Sequence, residues 1–175
     1  MDLKEINNAL NKFAKEVIKQ SRSNLTRKDK NYTKSLYDTI RSEVEVFPNS
    51  FNLSFFMEEY GIYQDKGVSG TERKFNTKFS YKQSSNLVGM EYHTGTFAKW
   101  AKFRNFRLRN KKGQFAKGNF KTIGFILANM IKKKGIKPSL FFTRPFENAF
   151  KNLPDELVNS FGLDVDKFID FTLKK

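Results

Sequence analysis

The stretch Thr39–Met57, "TIRSEVEVFPNSFNLSFFM", decides the fold. In its first half Val44 and Val46 alternate with Glu43 and Glu45; after "PNS" the run "FNLSFFM" places Leu53, Phe55 and Met57 on one face. Successive side chains of an extended chain point to opposite sides, so a period of two marks a pair of half-buried strands. Pro-Asn-Ser between them is turn chemistry, and the whole reads as an antiparallel β-hairpin. Its apolar face requires a cover, which the helical patterns on either side can supply.

Upstream, Leu3, Ile6, Leu10, Phe13 and Val17 recur at three- and four-residue steps, with Ala14 and Ile18 widening the stripe and Asp2 placed to cap. That spacing predicts an amphipathic helix reaching about Asn24. Downstream, Phe97, Trp100, Ala101 and Arg104 suit a short helix ended by "RNKKGQFAKGN", and Phe120, Ile123, Leu127 and Ile131 form the next stripe. Lys132, Lys133 and Lys134 fall in its last turn, where cations suit the helix dipole, and Gly135 can cap it. Thr143 is placed to cap a helix carrying Phe146, Ala149 and Phe150; Pro154 with Asp155 and Glu156 opens another, and Asp164 a last one through Val165, Phe168 and Thr172. Phe75, Thr77, Phe79 and Tyr81 alternate within a polar stretch and read as a partly extended loop or an edge strand.

The expected fold is α+β, a small antiparallel sheet packed by an N-terminal helix and a central helix, with a helical C-terminal region. At 175 residues the length suits one domain. We place its core in 1–135, with a long loop insertion over about 71–99, and a helical extension over 136–175.

Charge is the strongest compositional signal. The formal net charge is +15, and from Tyr92 to Phe146 there is no Asp or Glu against 14 Lys or Arg, while the other residues carry 19 Lys or Arg against 18 acids. A concentrated basic stretch predicts a polyanion or an acidic partner surface. Within it Arg104, Arg107, Arg109, Lys111 and Lys112 are interleaved with Phe97, Trp100, Phe103, Phe106 and Phe115, as in a stacking and phosphate surface. There is no cysteine, which excludes disulfides and thiolate metal sites and suits a reducing cytoplasm. The opening "MDLKEINNALNKF" is charged and amphipathic, unlike a signal peptide, and no run approaches the ~20 apolar residues of a membrane span.

An enzyme reading finds little to stand on. His93 is the single histidine, no glycine loop followed by Gly-Lys-Ser/Thr occurs, and carboxylates do not cluster at nuclease spacing. The expectation is no catalysis, no cofactor and no metal. "YGIYQDKGVSG", Tyr60–Gly70, has the look of a site, with an acid and a lysine beside a glycine loop; its "YGIY" matches only the first letters of the GIY-YIG nucleases.

The order of segments resembles tail-completion and head–tail connector proteins, the neck ring proteins of tailed double-stranded DNA bacteriophages. The resemblance rests on Ser35, Leu36 and Ile40 in "YTKSLYDTIRSEVEV", on Tyr60, Tyr63, Asp65, Lys66 and Gly67 in "MEEYGIYQDKGVSG", and on Phe141, Phe142, Pro145, Phe146 and Glu147 in "GIKPSLFFTRPFENAF". The wording of "DKGVSG" and "GIKPSLFF" is similar to virion proteins of crAss-like phages. The chain departs from the family's pattern at Gly61, at Asp65 and by the insertion between Thr71 and Lys99. The resemblance implies a small subunit made in the host cytoplasm that assembles as a homo-oligomeric ring in the virion, among portal, neck or tail proteins, with Ser35, Leu36 and Ile40 opening the first strand. On that footing Tyr60 and Tyr63 pack beneath the hairpin, and Asp65, Lys66 and Gly67 end a helix and launch a loop toward a neighbouring subunit. The basic residues then face either duplex DNA in the channel or an acidic protein, and docking on protein is favoured because a basic lumen would retard DNA. The alternative is a non-enzymatic, basic nucleic-acid-binding protein.

Overall fold

A computed structural model describes residues 3–28, 30, 32–116 and 118–161 of the chain. Its elements are α1 (Leu3–Arg27), α2 (Ser35–Thr39), β1 (Arg41–Phe47), β2 (Ser50–Phe56), α3 (Tyr60–Lys66), α4 (Leu87–Thr94), α5 (Thr96–Phe103), α6 (Phe120–Lys134), α7 (Thr143–Phe150) and α8 (Asp155–Ser160). The fold is α+β. The helix expected from Asp164 lies outside the described residues.

The chain divides into two compact units, one formed up to Asp65 and again from Ser139, the other from Lys66 to Pro138. In the first, β1 and β2 pair antiparallel with Val44 opposite Leu53 and Val46 opposite Phe51, across a turn at Pro48-Asn49. α1 packs on β1 and α7 on α1. Phenylalanine rings meet in the core between them: Phe13 meets Phe146 edge-to-face at 5.1 Å, and Phe55 meets Phe142 at 5.2 Å. Such pairs contribute about 0.5–1.5 kcal/mol beyond the burial of their area. Leu10, Val17, Leu25, Leu36, Ile40, Leu53 and Leu157 complete this core.

The strand that the segment from Ser35 was expected to open begins only at Arg41. Before it, Ser35–Thr39 closes into a short helix, with the Thr39 hydroxyl bonded to the Ser35 carbonyl at 2.8 Å. Arg22 of α1 donates to the Tyr37 carbonyl at 2.9 Å and the Ile40 carbonyl at 3.0 Å, satisfying groups that the helix end leaves open.

In the second unit α6, expected over the hairpin, packs on α4 and α5. α4 occupies part of the stretch expected as loop, capped by Asn86, whose side-chain oxygen accepts from the Gly89 N–H at 2.9 Å. Asn119 caps α6 in the same way through the Thr122 N–H at 2.8 Å. The buried face of α6 is Ile123, Gly124 and Ala128; Leu127 is half-buried. Small residues thus set the packing side of this helix.

Candidate functional site

Two buried carboxylates organise the regions singled out in the sequence. Asp65, the penultimate residue of α3, is 3% exposed. Its Oδ1 accepts from the N–H groups of Phe142 and Thr143 at 2.8 and 3.2 Å, and the Thr143 hydroxyl donates to its Oδ2. These are the first donors of α7, which have no partner inside the helix. Asp65 therefore caps α7 across 77 positions of sequence, a role that anionic charge at a helix N-terminus favours. Thr143, expected to be the cap, is instead one of the capped donors. Ser139 joins the same junction, its N–H 3.1 Å from the Gln64 and Asp65 carbonyls.

The neighbouring residues divide by exposure. Tyr60 and Tyr63 stand 42% and 43% exposed, so they do not pack beneath the hairpin as expected. Gly61 takes the inward position, where a Cβ would lie 2.6 Å from the Met57 sulfur and 2.9 Å from Leu36 Cδ1. The near approach leaves space only for a hydrogen, and the tyrosines on either side are turned outward. Ser35 donates to Glu58 at 2.8 Å at the same junction.

The glycine loop after α3 serves the end of α6. Gly67 is left-handed at φ 77, and a Cβ there would lie 2.7 Å from the Ile136 carbonyl. Val68 pairs with Ile136, the Thr71 N–H donates to the Lys132 carbonyl, and those of Glu72 and Arg73 donate to Lys133. The last turn of α6, rich in orphan carbonyls, is thereby satisfied by backbone. Gly70 makes this possible, because a Cβ would fall 2.0 Å from the Lys133 carbonyl oxygen. Lys66, half-buried, closes α3 ahead of this loop.

Glu91 is the second buried carboxylate, 4% exposed on α4. Its two oxygens accept from the Phe97 and Ala98 N–H groups, each at 2.8 Å, and so cap α5. Gly124 of α6 passes so close that a Cβ would lie 2.2 Å from Glu91 Oε1. No capping-box spacing announces this residue; its being the last acid before the basic stretch is the nearest thing to a signal.

The basic candidates gather around a tongue of chain paired on itself over 108–116. The Asn110 N–H donates to Gln114 and that of Ala116 to Leu108, both at 2.9 Å; the Asn110 side-chain oxygen accepts from the Lys112 and Gln114 N–H groups at 3.0 Å. Arg107 and Arg109 lie 5.5 and 4.5 Å over the Phe115 ring, and Arg104 lies 5.9 Å over Phe103. Arg107, Arg109, Lys111 and Lys112 are exposed; Arg104 is half-buried. Trp100 and Phe106 pack edge-to-face at 5.0 Å. The rings are thus engaged by the protein's own groups, which weakens the reading of this surface as a platform for bases. A guanidinium resting on a ring keeps in-plane N–H donors for phosphate or carboxylate.

Charge follows the same division. Lys66–Pro138 holds 18 Lys or Arg against two acids, Glu72 and Glu91, and the remainder of the chain holds 15 against 16. Both of those acids are engaged, Glu91 at the α5 cap and Glu72 with Lys133 at 2.9 Å.

His93 is exposed in the last turn of α4, its ring edge-to-face with Tyr92 at 5.4 Å. Among the described residues no three His, Asp or Glu side chains stand close enough to hold a metal ion, and no helix is long and apolar enough to cross a membrane. No family model, curated protein or solved structure matches the chain.

Proposed function

We propose that this chain is a structural, non-enzymatic protein of a bacteriophage neck or tail junction, assembling as a ring that connects the portal side to the tail. The observation that supports this most is a convergence. Parts of the three short segments that resemble phage tail-completion proteins meet in the unit formed up to Asp65 and from Ser139: Leu36 packs at Gly61, Ser35 bonds Glu58, and Asp65 caps the helix that follows Phe142. Residues spread so widely in sequence and used for packing and capping suit architecture, and Asp65 in particular has its oxygens committed to backbone and to Thr143.

A closed ring of identical subunits needs heterologous contacts, in which each copy offers two different surfaces. Tyr60 and Tyr63, exposed one helical turn apart with Lys66 beyond them, are our candidates for one such surface. The Lys66–Pro138 unit supplies the other partner contact, through Arg104, Arg107, Arg109, Lys111 and Lys112 on an acidic portal or ring neighbour. A second reading, non-specific contact with duplex DNA, is favoured by that unit's nearly uniform charge, since a phosphate backbone neutralises cations without sequence preference.

Mass spectrometry and imaging of mature particles from the phage that encodes the chain test the proposal. The expected outcome is a fixed number of copies at the neck; absence from mature particles would overturn it. Metal-dependent nuclease activity that disappears in Asp65→Asn would overturn its non-enzymatic part.

A further inference from the structure

Outside the basic unit, one group of cations is held together where the surrounding charges nearly cancel. Arg27 and Lys28 stand at the end of α1 and Arg144 in the first turn of α7; with Asn24 and Asn148 they line a cleft of about 400 Å³ between these helices. Two of them are tied to neighbouring groups. The Lys28 ammonium donates to the Ser139 carbonyl, and Arg27 Nη2 donates to Asn24 Oδ1 at 2.6 Å. Arg144 follows Thr143, whose N–H and hydroxyl are both bound to Asp65.

Like charges so placed repel one another. Burial, then Arg144 and Arg27, push the Lys28 ammonium below the ordinary lysine range, and among the described residues the Asp65 carboxylate acts the other way. Asp65 is already occupied in capping α7. Glu16 also lines the cleft, but about three turns of α1, roughly 16 Å of helix rise, separate it from Arg27. An anion entering between the cations would relieve the repulsion that the fold imposes.

We propose that the α1–α7 cleft binds a phosphate group, free or carried on a small ester, with Arg27 and Arg144 offering planar pairs of N–H donors and Lys28 a point charge. Guanidinium forks match the oxygen spacing of phosphate, and ammonium adds charge without geometric demand. The cleft is larger than a lone phosphate needs, and its asparagines can accept or donate to an attached polar group. This site is independent of the neck reading and of the basic tongue.

The test is titration of the full chain with inorganic phosphate and, separately, adenosine monophosphate, at constant ionic strength with chloride as the balancing anion. Two-dimensional amide NMR spectra report where binding occurs. Saturable shifts are expected at residues 24–28 and 144–149, with affinity falling about tenfold or more in Arg144→Gln. That variant alters an exposed side chain, and Arg27→Gln provides a second test should it melt early. Tighter binding of the nucleotide would identify an ester, and equal affinity a bare phosphate. Shifts confined to 66–138, no saturation with either probe, or undiminished binding in both variants would overturn the proposal.

Discussion

The unit formed up to Asp65 and from Ser139, and the unit Lys66–Pro138, solve one problem by different means. Each contains a helix start that is served by a buried carboxylate, Asp65 for α7 and Glu91 for α5. Glu91 reaches only six or seven residues along the chain, so its cap closes a local α4–α5 corner. Asp65 reaches 77, so its cap joins α3 to α7 and returns the chain to the phenylalanine core. The first unit is thus held around an apolar centre, the second by polar ties and by close backbone approaches at Gly70, Gly124 and Gly135 that bring distant segments together as well. The comparison teaches that the same interaction is architectural in one place and merely local in the other.

The sharpest way to break the comparison is through the phenylalanine cluster of the first unit. Phe146 is fully buried against Phe13, Phe55 and Phe142, so Phe146→Ala should cost about 3–5 kcal/mol in chemical denaturation. A loss near 1 kcal/mol would mean that the ring cluster is not the centre of that unit. Next comes Asp65→Ala, which strips two buried N–H groups and a hydroxyl of their acceptor and should cost about 3 kcal/mol. Asp65→Asn retains an acceptor oxygen and should recover part of that loss. Hydrogen exchange should rise in both α3 and α7, since the cap holds the two together.

Glu91→Ala should be milder, about 1–2 kcal/mol, with faster exchange limited to α4, α5 and the facing part of α6. Exchange spreading into α1 or α7 would erase the distinction drawn between the two carboxylates. Gly124→Ala probes the same cap from the other side: its methyl must displace the Glu91 carboxylate, at about 1–3 kcal/mol. The smallest stability effect should come from Arg107→Glu with Arg109→Glu, exposed residues on the tongue, within about 0.5 kcal/mol of the parent.

The parts of this organisation that were legible in the sequence are those with a short repeat. Val44, Val46, Leu53 and Phe55 announced the hairpin by alternation, and Leu10, Phe13 and Val17 announced α1 by helical spacing. The basic block needed no structure at all, because composition alone reveals it. The two caps were hidden for opposite reasons. Asp65 has a partner too distant for any local pattern, and Thr143, the local cap on offer, was the more natural reading. Glu91 acts across the break between two helices, a spacing that resembles no standard start signal. Leu87–Thr94 has no clear apolar stripe, so nothing in the sequence marks α4, and the buried side of α6 includes Gly124 and Ala128 beside Ile123, residues too small to stand out in a pattern of long apolar positions.

The central claim is that the packed unit is architecture and the basic unit makes the contact with a partner in the particle. Its most direct test is incorporation of the Arg107→Glu, Arg109→Glu variant into phage particles, measured as copies per particle by quantitative mass spectrometry beside the parent chain. The account predicts a variant that folds with unchanged stability and is lost from the particles; incorporation at the parental copy number would contradict it.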